Sequence, residues 1–278
     1  MKRLILAAAI GALMPSLALA DRVVSLGGAL TEIVYALGEE ERLVGRDTTS
    51  NFPAEALDLP DVGYIRQLSA EGVLSVSPDL IITEPGAGPD ETMALLNEAS
   101  VPVVEMPAGY SADDVEARII AVSEALGVLE KGKDLAATVR ADMEEAGAMA
   151  RAAGTKKRVL FVLTATADRI MAAGENSSAE AIIELAGGIN AMEGFEGYKQ
   201  VSSEAVITAQ PDVILMMDRR GEHVISDEDL FAMPAFKLTP AARTAAVVRM
   251  DGMLLLGFGP RVGEATLALS KHLAQVGG

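Results

Sequence analysis

Asp61 to Thr83 reads DVGYIRQLSAEGVLSVSPDLIIT, and a near copy of its second half returns far downstream as Val201 to Met216, VSSEAVITAQPDVILM. Laid over residues 68–83 without a gap, the copy repeats Ser69 as Ser202, Glu71 as Glu204, Val73 as Val206, Pro78 as Pro211, Asp79 as Asp212 and Ile81 as Ile214. In each copy a serine stands where a helix N-cap accepts a bond from an orphan backbone donor, and a glutamate follows in the first turn, where the helix dipole favours negative charge. The proline cannot continue the helix, and the apolar runs DLIIT and DVILM read as strands that a parallel sheet buries on both faces. Helix, proline and strand make half an α/β unit, present twice, so the chain is expected to fold as two related lobes.

The 278 residues suffice for two lobes with substantial cores. The chain begins MKRLILAAAIGALMPSLALA: two basic residues, a short apolar stretch broken by Pro15, then Ala18-Leu19-Ala20, the small-residue pattern of a secretory cleavage site. A signal peptide over residues 1–20 and a mature chain from Asp21 are therefore expected, which implies export. No later segment is long and apolar enough to span a membrane. Removing Lys2 and Arg3 from 23 basic residues leaves 21 against 40 acidic ones, a net charge of −19. Nucleic acid is not expected as a partner, and an anionic ligand must meet a local cluster of arginines. The chain has no cysteine, so disulfides, thiolate chemistry and an acylated anchor are not expected.

In chain order, RVVSL is a strand running into Gly27-Gly28 and the helical pattern ALTEIVYALG; neither the Walker spacing nor GxGxxG is present, so the glycine pair is no phosphate loop. LVGRD is a second strand, followed by the polar, proline-punctuated loop DTTSNFPAEALDLPDVGY, which delivers Tyr64 to a strand-end position where open α/β sheets place ligand groups. Beyond the first copy, ETMALLNEA, VPVVEM and DDVEARIIAVSEALGVL alternate helix, strand and helix. KGKDLAATVRADMEEAGAMARAAG then holds helical spacing for several turns without proline until Gly154. The predicted organisation is an N-terminal lobe over 21–128, a connecting helix over 129–154 and a C-terminal lobe over 155–278. In the last, KRVLFVLTA, RIMAAG and TAAVVRM are strands, AEAIIELAGG and VGEATLALSKHLAQV are helices, NAMEGFEGYKQ is a loop, and DRRGEHVISDEDLFAMPAFKLTPAAR is irregular with one short helix. The fold class is α/β: two lobes with mostly parallel central sheets joined by one long helix.

There are two histidines, His223 in a polar loop and His272 on the last helix, too few for a multi-histidine metal site. No GxSxG or HExxH occurs, and the serines and acids have no spacing that argues for catalysis, so an enzyme is not expected.

YIRQLSAEGVLSVSP, with GFEGYKQVSSEAVITAQPD, MAAGENSSAEAIIELAGG and LLLGFGPR, resembles the haem-binding periplasmic proteins of bacterial haem ABC importers, a branch of the binding proteins with one long interlobe helix. The resemblance spans nearly all of the mature chain and is most specific over residues 64–71. It implies capture of ferric haem b and delivery to an inner-membrane permease dimer by a monomeric carrier, with Tyr64 as axial ligand to the haem iron and Arg66 as its partner. Ferric iron is a hard Lewis acid that suits phenolate oxygen, and a nearby guanidinium favours the anion. The resemblance also implies that Glu71 and Glu204, one per lobe, dock onto the transporter. No histidine occurs where some relatives place a further ligand, so a single five-coordinate haem is expected. Tyr198 is a candidate for the pocket wall, whereas Tyr35 and Tyr110 lie elsewhere in the pattern. Arg46, Arg219 and Arg220, at strand ends facing the expected cleft, are the candidate partners of the propionates. Ferric-siderophore and cobalamin carriers share the expected fold and remain the alternative.

Overall fold

The computed structural model describes residues 20–154, 156–166, 169–218 and 225–276; residues 1–19 of the expected signal segment, and Arg219, Arg220 and His223, lie outside them. In the first lobe β1 (Val23–Leu26), α1 (Gly28–Ala36) and β2 (Leu43–Arg46) precede the first copy, which folds as α2 (Ala70–Leu74) and β3 (Leu80–Thr83). After it come α3 (Asp90–Glu98), β4 (Val103–Glu105) and α4 (Ala112–Ala125). All four strands run parallel in the order β2-β1-β3-β4. The long connector is α5 (Leu129–Ala153), 25 residues closed by Gly154 in the left-handed region.

The second lobe runs β5 (Arg158–Thr166), β6 (Arg169–Ala173), α6 (Ser178–Leu185), β7 (Ile189–Asn190) and β8 (Tyr198–Val201), and then the second copy as α7 (Ser203–Ala209) and β9 (Val213–Asp218). It continues with α8 (Asp227–Ala232), α9 (Pro234–Lys237), α10 (Pro240–Thr244), β10 (Val247–Asp251), α11 (Gly252–Leu256) and α12 (Val262–Gln275). Its sheet has the order β10-β9-β5-β6-β8, with β7 paired to β5. The strands β10, β9, β5 and β7 are parallel, while β6 and β8 add an antiparallel flank. Two expectations need correction. Tyr198 opens an edge strand rather than sitting in a loop, because the polar Lys199 and Gln200 suit a solvent-facing edge as well as they suit a turn. From Asp227 onward the stretch read as irregular holds three short helices, started by the Ser226 cap and by Pro234 and Pro240 in first turns.

The two copies fold alike in detail. Ser69 Oγ accepts from the Gly72 N–H at 2.9 Å and Ser202 Oγ from the Ala205 N–H at 3.1 Å. Ser77 and Gln210, each just before the proline, both adopt positive φ. The Asp79 carboxylate accepts the Arg22 N–H at 2.9 Å, and Asp212 accepts the Arg158 N–H at 2.9 Å. In return the Arg22 guanidinium donates to Val76 O and Ser77 O, and that of Arg158 donates to Ala209 O. Each arginine thus clasps the strand that it opens, β1 or β5, to the helix end and strand of the copy beside it.

The lobes share one core. Leu30 and Ile33 of α1, Ile119 and Val122 of α4, Val139 and Met143 of α5, and Leu269 and Leu273 of α12 belong to a single buried cluster that extends into both sheets. Val24, Leu26, Leu68, Val73, Ile81 and Leu96 fill the other face of the first sheet. Helix α5 is packed by α4 from one lobe and α12 from the other. Both crossings rely on glycine: a Cβ on Gly132 of α5 would strike Ser123 of α4, and one on Gly263 of α12 would lie 3.0 Å from Asp142 Cβ of α5. Across the lobes Arg261 donates to Glu32 from Nε and Nη2 at 2.9 and 2.6 Å, with its guanidinium 3.5 Å from the centre of the Phe52 ring. Burial pushes the Glu32 carboxyl up despite this pairing. Replacing Arg261 by Leu strands that carboxyl, so a loss of about 3 kcal/mol is expected in urea unfolding near neutral pH, smaller in acid where Glu32 takes up a proton. An unchanged unfolding midpoint would show that the pair holds nothing together.

Candidate functional site

Between the lobes lies a cleft of about 620 Å³. Glu84 follows β3, Asp218 ends β9 and Asp251 ends β10, so the cleft opens outside the carboxyl ends of strands from both sheets. Leu163, Met217, Met253 and Leu256 give the second lobe's wall an apolar stretch beside Asp218 and Asp251, and the first lobe supplies Tyr64, Arg66, Tyr110 and Arg118.

Tyr64 is presented by a braced loop. The Val62 N–H donates to Arg46 O at 2.9 Å and Gly63, at φ 111, turns the chain; Ile65 and Leu68 are then buried and exchange backbone bonds with Gly88. With its apolar neighbours anchored, Tyr64 is left 46% exposed on the cleft wall. Arg66 stands on the same wall, yet its Nη1 donates to Pro85 O and Gly86 O rather than to Tyr64. The structure brings these two residues to one site without bonding them to each other.

Tyr198 reaches the cleft from the opposite lobe. Its hydroxyl lies 2.8 Å from Ser178 Oγ, its ring meets Phe161 edge-on, and burial raises its pKa. Arg46 does not reach the cleft: it is 8% exposed and its guanidinium is spent on Ala56 O, Asp47 O and the Asp61 carboxylate. It therefore lies outside the cleft that it was expected to face, because a strand-end arginine can point back to tie its own loop. His272 is exposed on α12 and is not part of the lining. Glu71 and Glu204 are exposed in the first turns of α2 and α7.

Three lining residues were missed from sequence. Tyr110 packs its ring 5.0 Å from Phe258. Arg118, on α4, donates to Pro107 O, Gly109 O and, across the lobes, Phe258 O. Burial pushes the carboxyl of Glu84 up to about 7, with the negative charge of Asp47 adding to the rise while Arg118, the Ala29 backbone and Arg66 oppose it. The available signal was position: Glu84 and Tyr110 both follow the carboxyl end of a strand. Among the described residues no cluster of three or more histidines and acids could hold a bare metal ion, and no helix is long and apolar enough to cross a membrane.

A family model described as periplasmic binding protein matches residues 23–254. Among solved structures, the fold is similar to the periplasmic heme-binding protein BhuT in complex with two hemes, at 40% identity and a TM-score of 0.86, covering 92% of this chain and 98% of that one. It is also similar to the periplasmic heme-binding protein RhuT from Roseiflexus sp. RS-1, at 39% identity and a TM-score of 0.87 over 92% and 99% of the two chains. A curated relative, the vitamin B12-binding protein of Vibrio parahaemolyticus, is 28% identical over 92% of this chain and 90% of its own length.

Proposed function

Because this chain belongs to the periplasmic binding protein family, whose members bind substrates rather than transform them, we propose that it captures haem in the interlobe cleft and hands it to the permease dimer of an ABC importer. In this reading the segment 1–20 exports the chain and is removed, the Tyr64 phenolate takes the ferric iron, and the exposed Glu71 and Glu204 dock one on each half of the permease. One observation carries it: a phenol held half-exposed on the cleft wall by buried neighbours. A hard oxygen donor suits ferric iron, and the apolar residues opposite suit the face of a macrocycle. Arg66 stands on the same wall, held by its bonds to Pro85 O and Gly86 O, and brings a positive charge to the site.

A second reading, cobalamin, draws on the vitamin B12-binding relatives. Haem is favoured because two heme-binding neighbours, BhuT and RhuT, share 40% and 39% identity with this chain against 28% for the vitamin B12-binding relative, and because a cobalamin carrier has no need of a phenolate. Titration decides between them. Haemin is expected to saturate the mature protein at one equivalent with a tyrosinate-to-iron charge-transfer band, while cyanocobalamin produces no binding heat. Binding of cyanocobalamin without any spectral response to haemin would reverse the assignment.

A further inference from the structure

Two groups in the cleft are left incomplete by the protein itself. Glu84 lines the cleft, yet its Oε1 is buried without a hydrogen-bond partner among the described residues. Arg118 lines the same cleft and is 6% exposed; three of its five N–H donors go to backbone carbonyls, and among the described residues no carboxylate lies within ion-pair distance. Buried charges and buried polar atoms are ordinarily paired, and leaving either unpaired is costly. The two line one cleft and influence each other electrostatically without bonding.

We propose that Glu84 and Arg118 form a carboxylate-binding subsite in the cleft, in which Glu84 carries a proton and donates it in a hydrogen bond to one oxygen of a ligand carboxylate while Arg118 supplies the opposing charge. This rests on the haem reading, since the carboxylates concerned are the propionates. It takes over the task first assigned to Arg46. The charge balance is simple: one ligand carboxylate enters, Glu84 takes one proton from solvent, and the arginine neutralises what remains.

The surroundings of Glu84 agree from every side. On α1 the Ala29 backbone draws on the carboxyl, and Gly27 leaves it room, since a Cβ there would lie 2.5 Å from Glu84 Cδ. On α4 stands Arg118, and in the loop ahead of α2 stands Arg66. After β2, Asp47 offers only repulsion, its oxygens being taken up by the Gly27 and Thr49 N–H groups and the hydroxyls of Thr49 and Ser50. With burial, this holds the carboxyl of the free protein near half protonation at neutral pH, so an incoming anion tips it to the acid form.

The test measures protons. Haemin and haemin dimethyl ester are titrated at pH 8 into the mature parent and into Glu84→Gln by calorimetry in two buffers of different ionisation enthalpy. The parent is expected to take up as much as about one proton more per haemin than the variant, a comparison in which any proton lost by Tyr64 cancels. With the ester the difference disappears. Between pH 6 and 8 the parent's affinity for haemin falls about tenfold relative to that of Glu84→Gln, whose amide still donates. Equal proton counts in parent and variant, or a difference that survives esterification, overturn the subsite while haemin binding and its charge-transfer band leave the haem reading standing. If neither protein takes haemin, the haem reading falls and the subsite falls with it. Should Glu84→Gln not fold, acid and ester are compared on the parent alone, and equal proton uptake with the two overturns the subsite.

Discussion

Tyr64→Phe is expected to erase the charge-transfer band of the haem-loaded protein and to speed haem dissociation by about 100-fold or more, beyond the roughly 10–100-fold typical of losing a residue that only supports a ligand. The ring and its packing stay; only the donor oxygen is removed. Folding is expected to change by less than about 0.5 kcal/mol, because the side chain is half-exposed and the loop is held by Ile65, Leu68 and their backbone bonds. Arg66→Ala is expected to act more mildly, about tenfold, since it removes a charge favouring the phenolate but not the phenolate itself. Stopped-flow transfer of haem to an apo-acceptor and the visible spectrum read both effects. If Tyr64→Phe kept the parent spectrum and rate, the iron would have another ligand, and Tyr110 and Tyr198 would be tested next.

The largest effect without any change in the cleft is expected from Glu71→Arg combined with Glu204→Arg. Both side chains are exposed, and the caps made by Ser69 and Ser202 remain. Each helix loses a favourable dipole contact of about 0.3–1 kcal/mol, too little to unfold a lobe. What changes is the charge at two equivalent positions, from negative to positive, which on the proposed reading face the two halves of the permease. Haem-dependent stimulation of the importer's ATPase is expected to vanish while haem affinity holds within a factor of about two. Stimulation that persisted would remove these glutamates from docking, and a fall in haem affinity would move them into the architecture of the cleft.

Much of this was legible because duplication leaves a record that needs no partner sequence. The Ser–Glu–Pro–Asp spacing announced two helix–strand units, and the serine caps fold as that spacing requires. The run from Leu129 to Gly154 announced the long helix, since nothing in it breaks a 3.6-residue period and its end carries a glycine that adopts positive φ. Tyr64 stood out through its place in a loop at a strand end and through the resemblance over residues 64–71; its flanking residues taken alone do not distinguish a ligand from a packing tyrosine. The role of Arg46 was not legible: whether a strand-end arginine faces a cleft or folds back on Asp61 depends on loop geometry that no local pattern encodes. Glu84 and Arg118 stayed hidden for a related reason. They lie 34 positions apart, one just after β3 and the other on α4, and only the tertiary fold brings them to one cleft. Tyr198 reached the wall by a strand misread as a loop, because short polar edge strands and turns share their residues.

The grip on α5 from both flanks bears on how cargo comes and goes. A helix of 25 residues, about 38 Å long, clasped at Gly132 and Gly263 and threaded through one continuous core, is a strut and not a hinge. A receptor that snaps shut must divide each encounter into capture and closure, and its apparent association rate levels off when closure becomes limiting. A gape fixed by such a strut, on the haem reading, is expected to make association a single step whose rate climbs in proportion to haem concentration. Retention is then governed by the rate of escape alone. On the same reading, the work of parting the lobes is expected to fall to the importer at the moment of handover.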